Sequence, residues 1–209
     1  AYVISLFLPQ IIRELDLARH GLCILTRNPS SFTPLPDGRY LLLGHDEQSN
    51  RREIAKFSAR DAEAYGAYEA MLTRLARMLE PWMTNPMPKL PPRLGDWRRW
   101  WLVRRVIRDL GRDFRAAVEM LCAPASRILD RWFEGDALKA TLATDAIIGA
   151  WAAPSTPASA YVLLHHVMGE AGGKRGVWGY VRGGMGGLAE ALEKSCLQAG
   201  AEIRRNAEV

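Results

Sequence analysis

A glycine-rich turn near the carboxyl end of the sequence has the residue types and spacing to bind a phosphate. Gly184-x-Gly186-x-x-Ala189 matches the spacing with which dinucleotide-binding loops approach a pyrophosphate, and Glu202 follows at a distance suitable for a ribose contact. That motif normally opens a parallel sheet, whereas only 20 residues follow Ala189. Glycines that simply permit positive φ angles and close packing of a helix on a strand explain the same residues. The pattern alone therefore does not establish nucleotide binding.

A basic aromatic segment is the second candidate for a binding function. It consists of Trp97, Arg98, Arg99, Trp100, Trp101, Arg104 and Arg105. It lies within 89–115, where nine basic residues stand against three acidic ones in a chain of net charge +5. Tryptophan with arginine is typical of helices at a membrane interface, and also of surfaces that stack on nucleic-acid bases. A third interpretation is structural, with Trp97, Trp101 and Ile107 packed inward and the arginines solvated.

Side chains that could act as acids, bases, nucleophiles or metal ligands are sparse. His165 and His166 are adjacent, so only one of them shares the apolar face of a helix, and His20 and His45 are far away in sequence. No carboxylate stands at metal-ligand spacing from them, so we expect no metal site. Asp145 lies among apolar residues, which leaves partial burial open, but we favour an exposed position on an amphipathic helix. We identify no catalytic residue, because no nucleophile–histidine spacing and no P-loop are present.

The elements that position these residues are predicted to be mostly helical. Helical patterns cover 9–18, 50–56, 58–80, 97–110, 113–121, 126–133, 136–148, 157–168 and 188–199. Short strands are predicted at 23–26 and 39–43, around a turn at 36–38, where they could form a small antiparallel sheet, and further strands at 176–182 and 201–209. Ser58 is the predicted cap of the third helix, with Asp61 completing a capping box. The predicted fold class is α+β with helix dominant, with a proline-rich linker at about 84–95.

Composition narrows the class of protein. With 48% hydrophobic and 24% charged residues, the 209-residue chain resembles an ordinary soluble globular domain, and its apolar runs are shorter than the roughly 20 residues of a membrane span. Cys23, Cys122 and Cys196 are odd in number and set among apolar residues, which indicates reduced cysteines buried in a core. We therefore expect a cytoplasmic protein, peripheral at a membrane if the basic aromatic segment binds one, and mitochondrial if the source is eukaryotic.

The carboxyl-terminal third carries a family resemblance. The segment from Trp178 to Leu192, followed by Gly200-Ala-Glu-Ile and Ala207-Glu-Val209, resembles the phytoene desaturase-like FAD-dependent oxidoreductases, which are relatives of the amine oxidase flavoproteins. Residues 2–43 fit the same family, and the resemblance is thin between about 85 and 140. It implies an internal piece of a larger protein, because the family's FAD-binding glycine motif precedes this region and a second flavin-contacting motif follows it.

The resemblance implies a division of the chain and a function for its parent. Residues 1–182 correspond to a substrate-binding region, and 183–209 to the start of a segment that returns to the FAD-binding domain. The backbone of Val209 corresponds to a contact with the FAD adenine in the parent, whereas the isolated chain is expected to bind no FAD and to be inactive. The parent is expected to remove a hydride from an apolar, isoprenoid-like or amine-like small molecule.

A substrate cavity is the next implication. Two apolar runs, 146–153 and 158–168, are expected to form its wall, because a flavin enzyme that moves a hydride needs a dry pocket. The candidate pocket residues are Trp151, Tyr161, His165 and Tyr180. Since the family includes enzymes that act on isoprenoids drawn from membranes, membrane contact by the basic aromatic segment is favoured over nucleic acid, which is not an expected partner.

Two further expectations concern partners. A non-catalytic module that binds a membrane surface or a protein through the basic aromatic segment is the alternative function. The helix at 188–199 carries an apolar stripe of Leu188, Ala191, Leu192 and Cys196, which in the parent would pack on an FAD-domain sheet. Since an apolar stripe must be covered, we expect this chain to form a homo-oligomer through it.

Overall fold

Two compact units make up the protein. The computed structural model describes residues 3–80, 95, 97–111 and 113–207. One unit, called unit 1, combines residues 1–30 with 169–209, and the other, unit 2, comprises residues 31–168. The predicted linker at about 84–95 (apart from Gly95) and Val209 lie outside the described residues. The division predicted between residues 182 and 183 refers to the parent protein and stays a prediction.

Helices dominate, which confirms the predicted α+β class. The described helices are α1 (Pro9–Glu14), α2 (Glu47–Ala55), α3 (Ala59–Leu79), α4 (Trp97–Leu110), α5 (Phe114–Cys122), α6 (Ala125–Trp132), α7 (Asp136–Asp145), α8 (Ser159–Val167) and α9 (Met185–Gln198). The described strands are β1 (Ile24–Thr26), β2 (Ser31–Pro34), β3 (Tyr40–Leu43), β4 (Glu170–Ala171), β5 (Lys174–Arg175) and β6 (Gly179–Val181).

The strands pair differently from the prediction. In the described part of the chain they form three two-stranded antiparallel sheets: β1 with β6, β2 with β3, and β4 with β5. A single sheet from the strands at 23–26 and 39–43 was therefore wrong. The tight turn around Gly38, whose φ is 83°, joins β2 to β3, and these two strands pair with each other. β1 instead pairs with β6, where Ile24 faces Val181.

Helix α3 organises the core of unit 2. Apolar residues at helical spacing predict one buried face, and of these Tyr65, Tyr68, Leu72, Leu75 and Ala76 are buried, whereas Leu79 is half-buried. They pack with side chains from β3, α2 and α5 to α8, among them Leu41, Ile54, Met120, Leu129, Phe133, Leu138 and Leu164. The ring of Tyr68 meets that of Phe133 edge-on, with centroids 5.0 Å apart, a favourable aromatic geometry.

The start of α3 is capped by Ser58, as predicted, but without the capping box. Ser58 Oγ accepts the backbone N–H of Asp61 at 3.1 Å. The reciprocal bond to the Ser58 N–H is not needed, because that N–H donates to the Ile54 carbonyl oxygen at 3.0 Å. The buried carboxylate of Asp61 accepts instead from the backbone N–H groups of Glu134 and Gly135, just before α7.

Unit 1 has its own apolar core and covers the stripe of α9 within itself. This core contains Ile4, Leu17, Leu22, Val181, Leu188 and Ala191. Cys196, predicted to be on the stripe, is exposed, and Ser195 takes the buried position by donating its hydroxyl to the Leu15 carbonyl oxygen at 2.9 Å. The expectation that this stripe lacks cover was wrong, so homo-oligomer formation stays a prediction without this support.

Two more expectations fail near the ends of helices. Residues 201–207 are exposed and form no strand, because none of the described strands lies beside them to share backbone hydrogen bonds. Cys122 and Cys196 are exposed and Cys23 is half-buried, so the prediction of core cysteines was wrong for the first two. Their apolar neighbours Leu121 and Leu197 are exposed as well, so an apolar neighbourhood in sequence did not indicate burial.

Candidate functional site

Helix α4 carries the basic aromatic segment at the bounds predicted from the sequence. It packs against α3 and α5. Trp100 is half-buried, and its indole N–H finds no acceptor among the described residues. Arg99 belongs to the same helix, and the side chains of Arg98, Arg104 and Arg105 are exposed. The helix thus presents a strongly basic surface.

Three large apolar side chains of α4, those of Trp97, Trp101 and Ile107, do not pack inward. Trp97 is 64% exposed, Trp101 58% and Ile107 63%, so the purely structural interpretation of these three residues was wrong. The Arg98 guanidinium lies over the Trp97 ring at 5.4 Å from its centroid, and Arg105 lies over Trp101 at 5.6 Å. Such cation–π pairs hold a charge beside an exposed aromatic ring. The surface combines apolar area and positive charge.

Two of the four predicted pocket residues meet on α8. Tyr161 and His165, one helical turn apart, stack with ring centroids 5.9 Å apart and an interplanar angle of 28°. Burial lowers the pKa of His165 below its ordinary value of 6.5, and the neighbouring His166 lowers it further. His166 is buried, and its Nδ1 donates to the Val162 carbonyl oxygen at 2.7 Å. The lowered pKa of His165 favours its neutral imidazole, which stacks on the ring of Tyr161.

The other two predicted pocket residues lie on other elements, one in unit 2 and one in unit 1. Trp151 is fully exposed in the segment between α7 and α8. Tyr180 belongs to unit 1, where it lies on β6 opposite Leu25 and is partly exposed. The exposure of Trp151 had no signal in the sequence, because side-chain direction in a short irregular segment depends on tertiary packing.

A cleft between α3, α5 and α6 was not predicted. It encloses about 430 Å³ and has an apolar floor that includes Met71, Met120 and Trp132. At its rim Arg131 Nη2 donates to Glu119 Oε1 at 3.1 Å. Hydrogen bonds from Arg131 lower the pKa of Glu119, and Arg115 contributes further. The i, i+4 spacing of Arg115 and Glu119 was the one sequence signal for this rim.

Buried phenols near the middle of α3 were also missed as polar groups. Burial raises the pKa of both Tyr65 and Tyr68, and the charges of Glu69 and Asp145 raise these values further. The Tyr68 hydroxyl is buried and has no hydrogen-bond partner among the described residues. Asp145, expected to be exposed, is half-buried. Helical periodicity placed both tyrosines in the core but did not indicate which charges lie near them.

The glycine-rich turn joins β6 to α9. Gly183 and Gly184 have φ angles of 81° and 76°, which side chains rarely adopt. A Cβ on Gly187 would lie 2.6 Å from the Arg182 carbonyl oxygen, so this glycine permits the helix to approach the strand closely. β6 pairs antiparallel with β1, whereas the dinucleotide motif opens a parallel unit. The glycines therefore serve the turn and its packing.

The described ranges contain neither a metal-binding cluster nor a membrane-spanning helix. These residues contain no group of three or more His, Cys, Asp or Glu side chains placed to hold a metal ion. Across the same ranges, we find no helix with the length and apolarity needed to cross a membrane.

Comparisons with known proteins give one consistent relationship. The chain is 43% identical over 219 aligned residues to proteins of rat and mouse named pyridine nucleotide-disulfide oxidoreductase domain-containing protein 2. The alignments cover 97% of this chain and 38% of each relative. An uncharacterized protein of Mycobacterium tuberculosis is 29% identical over 217 residues, covering 100% of this chain and 38% of the relative. No family model matches the sequence.

These similarities support a broad pyridine nucleotide-disulfide oxidoreductase-like family. The chain spans 38% of the length of these curated relatives. Among the described residues, the glycine-rich turn offers no phosphate cradle of the dinucleotide type, because it follows an antiparallel strand. Its residues therefore do not fit the pyrophosphate of FAD.

Proposed function

We propose that this chain is the substrate-side region of a larger FAD-dependent oxidoreductase that acts on an apolar, isoprenoid-like or amine-like small molecule by removing a hydride. The observation that carries the proposal is the similarity to a relative that is named for an oxidoreductase domain. The chain is 43% identical to it, and the alignment covers 97% of this chain. Because these relatives are much longer than this chain, the flavin-binding part is assigned to the remainder of the parent.

The residues of α8 support the substrate-side role. When bound, FAD supplies the hydride chemistry, and the surrounding protein orients the substrate and excludes water. Tyr161 and His165 offer a flat, stacked surface, and the lowered pKa of His165 keeps its imidazole neutral at pH 7. A neutral aromatic surface accepts an apolar chain, and it does not repel an amine as a cationic histidine would.

Spectroscopy of the full-length parent tests the proposal. We expect the purified protein to show the absorption bands of bound flavin, and these bands to bleach without oxygen when an isoprenoid-like or amine-like substrate is added. A full-length protein that is colourless and takes up no added FAD would contradict the proposal. Flavin that is bound but reduced by neither class of substrate would contradict the assigned substrate chemistry alone.

Substitutions on α8 test the part assigned to this chain. Tyr161→Ala and His165→Ala in the full-length protein are expected to slow flavin reduction by substrate and to leave the flavin bands in place. His20→Ala in unit 1 is the matched control, expected to change neither. Equal reduction rates in all four proteins would remove α8 from the substrate site.

A second candidate function rests on the exposed face of α4. A non-catalytic module that binds a membrane or a protein is supported by the exposure of Trp97 and Trp101. A full-length protein without flavin that still binds such a partner would favour this alternative.

A further inference from the structure

We propose that α4 docks the protein on an anionic lipid surface, with its exposed tryptophans in the headgroup region and its arginines against lipid phosphates. This inference goes beyond the proposed function and does not depend on it, since it concerns a surface formed by this chain alone. The surface, called the α4 face, consists of Trp97, Trp101, Arg104, Arg105 and Arg108.

The residues of the α4 face share one side of the helix. From Trp97 they follow at i+4, i+7, i+8 and i+11, which are neighbouring positions at 3.6 residues per turn. All five side chains are exposed. An exposed surface with two tryptophans is unusual, because large aromatic side chains are normally among the most buried groups of a protein.

Aromatic rings and charges are held together on this face. Arg105 stacks over the ring of Trp101, and Arg98 at the edge of the face stacks over Trp97. An amphipathic tryptophan ring favours the headgroup depth of a bilayer, and a guanidinium beside it reaches the phosphates at the same depth. The pairs therefore match the layered chemistry of a membrane interface.

The charge of α4 is complementary to anionic lipid. Its sequence contains five arginines and one acidic residue, Asp109. Clusters of four or more basic residues on an amphipathic helix are typical of binding to anionic headgroups, and each contributes about fivefold to partitioning near such a surface. The arginines alone would attract any polyanion, so a second observation must distinguish lipid from nucleic acid.

Exposed apolar side chains on α4 and α5, most of them aliphatic, favour lipid. Ile107 is exposed on α4, and on the following helix α5 an i, i+4, i+7 stripe of Phe114, Val118 and Leu121 is exposed as well. Aliphatic side chains gain free energy when they leave water for acyl chains. They gain little from the polar grooves and phosphates of a nucleic acid, whose unpaired bases stack on aromatic rings instead. An apolar and basic surface together fits a lipid bilayer best.

Vesicle flotation tests the proposal with the 209-residue chain. We expect binding to vesicles of phosphatidylcholine with phosphatidylglycerol, weak binding to phosphatidylcholine alone, and release when salt rises from about 0.1 M to about 1 M, since the Debye length falls from about 10 Å to about 3 Å. Brominated acyl chains are expected to quench tryptophan fluorescence in the bound state. Equal binding to neutral and anionic vesicles, or no binding to either, would overturn the proposal.

Two variants and a matched control locate the contact. Arg104→Gln, Arg105→Gln and Arg108→Gln together are expected to lower partitioning on the order of 100-fold, and Trp97→Ala with Trp101→Ala to lower it at least about tenfold. The control replaces Arg13, Arg51 and Arg127, three exposed arginines outside α4, with Gln, and is expected to retain binding.

Each remaining outcome is decisive. If the control loses as much binding as the triple α4 variant, net charge rather than the α4 face is responsible and the proposal is wrong. Retention of the wild-type chain on single-stranded RNA, without retention on anionic vesicles, would assign the face to nucleic acid and overturn it. Should the tryptophan variant fail to fold, the arginine variant still tests the proposal, because its substitutions change only exposed side chains.

Discussion

The carboxylate of Asp61 holds the backbone of Gly135 from 74 positions away in sequence, with a distance of 2.8 Å between Oδ2 and the Gly135 nitrogen. The other carboxylate oxygen accepts the Glu134 N–H at 2.9 Å. Asp61 is buried at the first turn of α3, and the two N–H groups precede α7. One side chain thus joins the starts of two helices and satisfies donors that the helix itself leaves without partners.

Replacing Asp61 with Asn tests this connection. The amide keeps the shape but offers one acceptor and one donor where two acceptors are needed, so we expect a loss of about 1–3 kcal/mol in the free energy of unfolding. Urea denaturation followed by circular dichroism measures it. Glu63→Gln, at an exposed position of the same helix, is the control and is expected to stay within about 0.5 kcal/mol of the wild type. Equal midpoints for both variants would show that the buried bonds contribute little.

Gly135→Ala probes the same pair from the other side. The added Cβ would lie 2.8 Å from Asp61 Oδ2, so the variant is expected to be destabilised by on the order of 1–3 kcal/mol. The destabilisation caused by Gly135→Ala is expected to be smaller when Asp61 is also replaced by Ala, because the carboxylate that the added Cβ would contact is then absent. Gly186→Ala is the control, since open space surrounds that position and alanine favours the helix. Additive effects in the double variant would rule out a direct clash.

The assignment of the buried stripe of α9 predicts a contrast between adjacent residues. Ser195→Ala removes the donor to the Leu15 carbonyl oxygen and is expected to cost about 1 kcal/mol. Cys196→Ser changes an exposed side chain and is expected to change the free energy of unfolding by less than about 0.5 kcal/mol. Urea denaturation measures both changes in the free energy of unfolding. A larger loss for Cys196→Ser than for Ser195→Ala would support the stripe expected from the sequence.

The environment of His165 predicts a pH dependence. Because burial lowers its pKa in the folded state, the unfolded chain binds a proton more readily near pH 6.5. Its contribution to stability is therefore complete above the unfolded pKa and declines as pH falls from about 6.5 towards the folded value. Proton NMR of the imidazole is expected to give a pKa below 6.5, with His165→Gln identifying the resonance. In His166→Gln most of the lowering should persist, since burial is its main cause. A titration midpoint at or above 6.5 would contradict the burial.

Periodicity and local chemistry predicted much of the helical framework. Both ends of the helix Trp97–Leu110 were predicted correctly, and the Ser58 cap and the buried face of α3 were confirmed. These features depend on residues a few positions apart, where the sequence contains the partners. On α9, however, Ser195 and Cys196 are adjacent, so apolar character alone selected the wrong one, and a hydrogen bond to the distant Leu15 decided the outcome.

The candidate site was less accessible to sequence reasoning. The α4 segment was evident from composition, but its orientation was not, because the same spacing suits tryptophans that face inward or outward. For the α8 pair, the i, i+4 spacing of Tyr161 and His165 is compatible with stacking, yet the burial that keeps the imidazole neutral comes from residues elsewhere. The pairing of β1 with β6 likewise joins segments too distant for a local pattern to connect.

The pairing of β1 with β6 sets an order of events during synthesis. Ile24 leaves the ribosome 157 residues before its partner Val181, which at about 5–20 residues per second is a delay of about 8–30 s. During that interval the whole of residues 31–168, contiguous in sequence, is already made. The backbone donors and acceptors of β1 therefore stay solvated while unit 2 forms its core. Unit 1 is the last to be completed, although it contains residues 1–30.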